Sequence, residues 1–149
     1  MSLLTANAMA FPCFITVMKG SCWKDYNVKV DVFDAEDNEN NKILMHVDIP
    51  KGKSWARKAF EAKPKQRFVL RATFKPAFWK DEAGVKYQAK KYWLLPEKID
   101  AKTIAWNVDA CFPADFSSVP MPPDAGQNCA CDKQKVTPLT QKEMEEAAF

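Results

Sequence analysis

Two short segments, Cys22-Trp-Lys-Asp-Tyr26 and Phe78-Trp-Lys-Asp81, set a tryptophan beside a lysine and end in turn-forming or aromatic residues. Flat aromatic faces accept stacked bases at about 1–3 kcal/mol per base, and neighbouring ammonium groups follow the phosphates. The combination therefore suits single-stranded nucleic acid bound without sequence preference. On this reading Trp23, Tyr26, Phe78 and Trp79 are the stacking candidates, and Lys24, Lys29, Arg71, Lys75, Lys80 and Lys90 are the phosphate contacts. The competing reading is that Trp23 and Trp79 close the ends of a core, as large aromatics often do.

The distribution of charge points the same way. Residues 51–91 hold thirteen Lys or Arg against three acids, a local excess of ten in a chain whose net charge is only +3. Acid is concentrated in Asp34-Ala-Glu-Asp-Asn-Glu39 and in Glu143, Glu145 and Glu146. Any single lysine is adequately explained by solvation, but a field this one-sided costs self-repulsion that a polyanion relieves.

Other chemistries find little material. His46 is the only histidine, so every Ser-His-Asp or Cys-His arrangement would have to use it. Four glycines scarcely allow a phosphate loop, and Cys111 with Cys129-Ala-Cys131 lacks the spacing and fourth ligand of a structural zinc site. No catalytic residue, metal or cofactor is expected, and the chain reads as a non-enzyme. Five cysteines are an odd, irregularly spaced set, which suggests free thiols, a reducing compartment and a cytoplasmic protein. With no apolar run near 18 residues and no basic, apolar secretory start, no membrane association is expected.

The elements that must position these residues read as mostly β. Phe11 to Lys19 makes a first strand; Val28, Val30, Val32 and then Ile43, Met45, Val47, Ile49 alternate with polar residues as a hairpin. Ser54 can cap a short helix over 55–62, with Trp55, Ala56, Ala59 and Phe60 on its apolar face and Pro64 as its stop. Phe68, Leu70, Ala72 and Phe74 then mark a fourth strand and Val85 to Leu95 a fifth. Three strands, a helix and two strands is the order of a five-stranded OB-type barrel, whose first and fourth inter-strand loops frame the ligand. A split sandwich or an SH3-like barrel has a similar strand count. Residues 1–112 are read as this domain with a C-terminal extension, and 113–149 as a Pro-rich linker with a flexible acidic tail.

The tail ends Glu143-Met-Glu-Glu-Ala-Ala-Phe149. Barrel, linker and acidic tip with a terminal phenylalanine together resemble the single-stranded DNA-binding proteins of bacteria and phages. That resemblance implies binding of single-stranded DNA during replication or recombination of a phage or mobile element. It also implies docking of replication or recombination proteins on Glu143, Glu145, Glu146 and Phe149, and it is compatible with a homo-oligomer. Two alternatives remain: a protein-interaction or structural barrel acting as an assembly component or inhibitor, and an RNA-binding OB module.

Overall fold

The run Phe11–Lys19 has few polar side chains on either face, so as a strand it must be covered on both sides, and it is: every residue of β1 (Phe11–Lys19) is buried. The computed structural model describes residues 11–35, 42–76, 84–96, 105–120, 122 and 129–147. Its other elements are β2 (Asn27–Asp34), β3 (Ile43–Ile49), β4 (Trp55–Ala62), β5 (Arg67–Lys75), β6 (Tyr87–Gln88), β7 (Trp93–Leu94), β8 (Trp106–Phe112) and one short helix, α1 (Gln141–Glu146). The strands form two sheets. One has the order β4-β1-β8 and the other β3-β2-β5-β6, with β7 pairing β5. Among the described residues these sheets do not close into a single barrel.

Alternation places the core. Cys13, Ile15 and Val17 on β1 turn inward with Phe60, Val108 and Ala110, toward Val28, Val30, Val32, Val47, Ile49, Leu70, Ala72 and Phe74 of the second sheet. Each fully buried Val, Ile or Phe contributes about 1.5–3 kcal/mol through the water it sheds. β1 runs antiparallel to β4 and parallel to β8. The expected β2–β3 hairpin is present, with a bulge between Val32 and Phe33.

The helix expected over 55–62 is instead β4. Its eight residues pair one for one with Phe11 to Met18. Alanine, arginine, lysine and glutamate favour helix locally. Backbone groups of the buried β1 need a partner along their whole length, and that tertiary demand overrides a weak propensity. Lys58 shares the parity of Phe60 and Ala62 yet is exposed, an inward charge of the kind that protects a sheet edge from further pairing. The expected fifth strand is also modified. β6 pairs at Arg71 and Ala72, and β7 at Arg67 and Phe68. Between them the chain is drawn to the 115–117 segment, where Lys90 donates to the Asp115 carbonyl and Ser117 to that of Gln88.

Free thiols were expected, and two disulfides correct that expectation; both join the expected tail to the strand-bearing part of the chain. Cys22 joins Cys129 and Cys111 joins Cys131, with Cα separations of 4.8 and 6.0 Å. Only Cys13 is free, and burial pushes its thiol up to about 12. The cross-links bring residues 129–131 onto the end of β1, where a Cβ at Gly20 would overlap the Cys129 carbonyl. Farther on, Arg57 anchors the segment: its Nε donates to Thr16 Oγ1 at 2.7 Å, its Nη2 to the Thr137 carbonyl at 2.9 Å, and its Nη1 lies 3.9 Å from Glu143. Thr140 and Glu143 form a reciprocal capping box that starts α1. This segment lies against the outer side of the β4-β1-β8 sheet, where Phe14, Thr16 and Met18 are buried.

Candidate nucleic-acid interface

Residues directly opposite one another in a sheet share a face, so the β2–β5 and β2–β3 registers define what the second sheet presents outward. Asn27 opposes Lys75, Lys29 opposes Thr73 and Asp48, and Asp31 opposes Arg71 and His46. Phe33 opposes Val69. The outer face thus carries Arg67, Arg71 and Lys75 along β5, each four residues from the next and so about 13 Å apart on an extended strand. Lys29 stands one strand over. Three of the expected phosphate contacts, Lys29, Arg71 and Lys75, are brought onto one face by this register. At the Asn27 end a cleft of about 310 Å³ is lined by Asn27, Lys29, Asp48, Thr73 and Lys75 together with the apolar Val28, Ile49, Pro50 and Phe74.

Aromatic rings back the cations. The Arg71 guanidinium lies 4.3 Å from the centre of the Phe33 ring, Lys86 Nζ 5.6 Å from the same ring, and the Arg67 guanidinium 5.9 Å from Tyr92. Phe33 is 3% exposed, so it serves as a floor; Tyr92, at 54%, offers its ring to solvent. A guanidinium held over a ring keeps an open face of its own for stacking and its charge for phosphate. Leu94 sits opposite Arg67 and is exposed as well. The acidic boundary lies on β3, where Asp48 approaches His46 at 3.4 Å.

The remaining expected site residues fall elsewhere. Trp23 is fully buried, with Tyr26, Phe74 and Phe112 ring centroids 4.6–5.0 Å from its own. Its faces are spent on the core, so the stacking role expected for it does not fit its position. Tyr26 is half-buried and packs its ring on Trp23 and Phe74. Lys24 is exposed at the far end of β1, and Lys90 lies beside Asp115. Phe78, Trp79 and Lys80 lie outside the described residues, as does Phe149. Glu143 is engaged with Arg57, while Glu145 and Glu146 are exposed on α1.

Arg67, Phe33, Lys86 and Tyr92 were not among the expected contacts. The signal for Arg67 was available: it shares the parity of Arg71 and Lys75. Tyr92 shares the outward parity of Lys86 and Lys90, so its exposure was legible; its place beside Arg67 was not, because the 85–95 run breaks into two strands.

Among the described residues no three His, Cys, Asp or Glu side chains come together as a metal site, and no helix is long and apolar enough to cross a membrane. No family model, curated protein or solved structure matches this chain.

Proposed function

We propose that the outer face of the β3-β2-β5-β6 sheet binds single-stranded nucleic acid, with single-stranded DNA as the ligand the acidic tail favours. The observation that carries this reading is the row Arg67, Arg71 and Lys75 on one strand, with both guanidiniums laid over aromatic rings. Arg67, Arg71, Lys29 and Lys75 neutralise phosphates, and Tyr92 stacks a base. Phe78, Trp79 and Lys80 follow β5 in the sequence and lie outside the described residues. The role is non-catalytic: protection or presentation of strands in replication or recombination. An OB-type barrel is part of the proposal, since β3 and β4, at the edges of the two sheets, approach one another where a seam would form.

Fluorescence polarisation with labelled oligo-dT and with duplex DNA, at two salt concentrations, tests the reading. Preference for the single strand, weakening as salt rises, supports it; no binding at low salt, or equal binding of duplex, removes it.

The two disulfides favour a second reading. Such bonds persist in oxidising compartments, which fits a protein-binding β module outside the cytoplasm better than a DNA-binding protein within it. In that case Tyr92 and Leu94 form an apolar contact patch rather than a stacking platform. Oligonucleotide binding separates the two.

A further inference from the structure

At the other end of β1, four lysines from four separate segments meet around one cavity of about 310 Å³, a volume at the lower end of small-ligand sites. Lys19 comes from β1, Lys24 from the turn before β2, Lys53 from the β3–β4 turn and Lys135 from the disulfide-anchored segment. Ser21 and Ser54 also line it, and Asp132 is the one carboxylate in the lining.

The four lysines do not play equal parts. Lys19 is 4% exposed, and its ammonium spends all three donors on backbone carbonyls: Tyr26 at 2.7 Å, Pro50 at 3.0 Å and Ile49 at 3.4 Å. It pins the turn ends together and places a fixed positive charge in the cavity wall. Burial lowers its pKa to about 8, with Asp25 acting against that shift, so it is charged at neutral pH. Lys24, Lys53 and Lys135 are exposed, and none of them forms an ion pair among the described residues. Gly52, at φ +87°, makes the tight turn that presents Lys53, and its amide donates to the Lys24 carbonyl, fastening the two turns to each other.

The lining's four cations against one carboxylate leave +3 on a concave, hydroxyl-bearing surface, or +2 when Asp25, whose charge reaches Lys19, is counted with them. A dianion rich in acceptor oxygens relieves that repulsion and takes donors from Lys24, Lys53, Lys135 and Ser54. We propose that this cavity binds a phosphate dianion, carried either by a small phosphomonoester or by the phosphorylated end of a strand. The inference does not rest on the nucleic-acid reading of the sheet face. It also makes the site dependent on oxidation: Lys135 and Asp132 reach the cavity on the segment that Cys22–Cys129 and Cys111–Cys131 tie down, so reduction loosens one wall.

The test is an amide-resolved NMR titration of the full-length oxidised protein with inorganic phosphate, ribose 5-phosphate, and a dT oligomer with and without a 5′-phosphate. Saturable shifts at Ser21, Gly52, Lys53 and Ser54 are expected. They should weaken at least about tenfold in Lys24→Ala/Lys53→Ala, whose exposed side chains leave the sheets intact, and also in Lys135→Gln should the double variant misfold. Tighter binding of ribose 5-phosphate than of the strand end assigns the site to a small ester; the 5′-phosphorylated oligomer binding tighter than its 5′-hydroxyl form assigns it to strand ends. A phosphate or ester titration that shows no saturation by about 10 mM, or affinities unchanged in the lysine variants, overturns the proposal.

Discussion

Severing the Cys22–Cys129 cross-link, by Cys22→Ala with Cys129→Ala, tests the anchoring of the C-terminal segment. The bond joins residues 107 positions apart. With Cys111–Cys131 intact, the shortest covalent path around the loop runs 89 residues from Cys22 to Cys111, crosses that disulfide and returns 2 residues to Cys129, about 91 in all. In the chain-entropy treatment a loop of that size restricts the unfolded chain by about 4.6 kcal/mol, and native disulfides removed from small domains cost about 2–5 kcal/mol. The second disulfide therefore does little to shield the loss of the first. Guanidinium chloride unfolding, followed by tryptophan fluorescence, should show a lower midpoint and an unfolding free energy reduced by an amount in the upper part of that range. Limited proteolysis should cut within 129–147 earlier than in the parent. Thiol titration of the denatured, unreduced parent should find one free cysteine, Cys13. Five free thiols, or a variant within about 0.5 kcal/mol of the parent, would overturn the anchoring role of this disulfide.

Three further outcomes follow from the packing. Trp23→Ala should cost about 3–5 kcal/mol by emptying the site between Tyr26, Phe74 and Phe112, and Trp23→Phe less; thermal unfolding indistinguishable from the parent would return Trp23 to the surface. Arg57→Ala removes the bond to Thr16 and the solvent-exposed contacts to Thr137 and Glu143 and should destabilise by about 0.5–1.5 kcal/mol, with earlier proteolysis near α1; an unchanged cleavage pattern argues against the anchor. Lys19 binds its proton less tightly folded than unfolded, so stability should rise as pH climbs from about 8 toward 10.5, at no more than about 1.4 kcal/mol per pH unit. Cys13 acts oppositely, because its folded thiol, pushed up to about 12, keeps a proton the unfolded chain sheds above 9.0. Denaturation midpoints across this range should therefore rise from pH 8 to 9, level off, and fall above 10.5. Lys19→Met should flatten the rise and Cys13→Ala the fall; a parent that loses stability steadily from pH 8 contradicts both assignments.

The strands were legible where one face is apolar and the other polar. Val28 to Val32, Met45 to Ile49 and Phe68 to Phe74 turn the apolar positions of that pattern inward, whereas Ile43, beyond the bulge, is exposed and Asp31 and Val69 are buried on the opposite face. β4 was not legible, because Trp55, Ala56, Ala59 and Phe60 fit a helical stripe as well as a strand, and only the partner β1 decides between them. The disulfides were hidden by the count: one core thiol, Cys13, makes four paired cysteines look like an odd set, and bonds spanning 107 and 20 residues leave no local spacing signal. Trp23 was misjudged because its polar neighbours Lys24 and Asp25 reach solvent while its own ring turns under the sheets. The facing of Lys29, Arg71 and Lys75 was legible, since strand parity fixes which way residues of β2 and β5 point without any knowledge of the loops.

Whether the β5 face is the nucleic-acid site is decided by the salt dependence of oligo-dT affinity in the parent and in Arg67→Ala/Arg71→Ala/Lys75→Ala, which removes the row of cations on that strand. Removing each cation that neutralises a phosphate should reduce the slope of log affinity against log salt by about 0.7, so the account predicts a slope shallower by about 2 and weaker binding at low salt. A parent that does not bind, or a triple variant with the parent's affinity and slope, would contradict it.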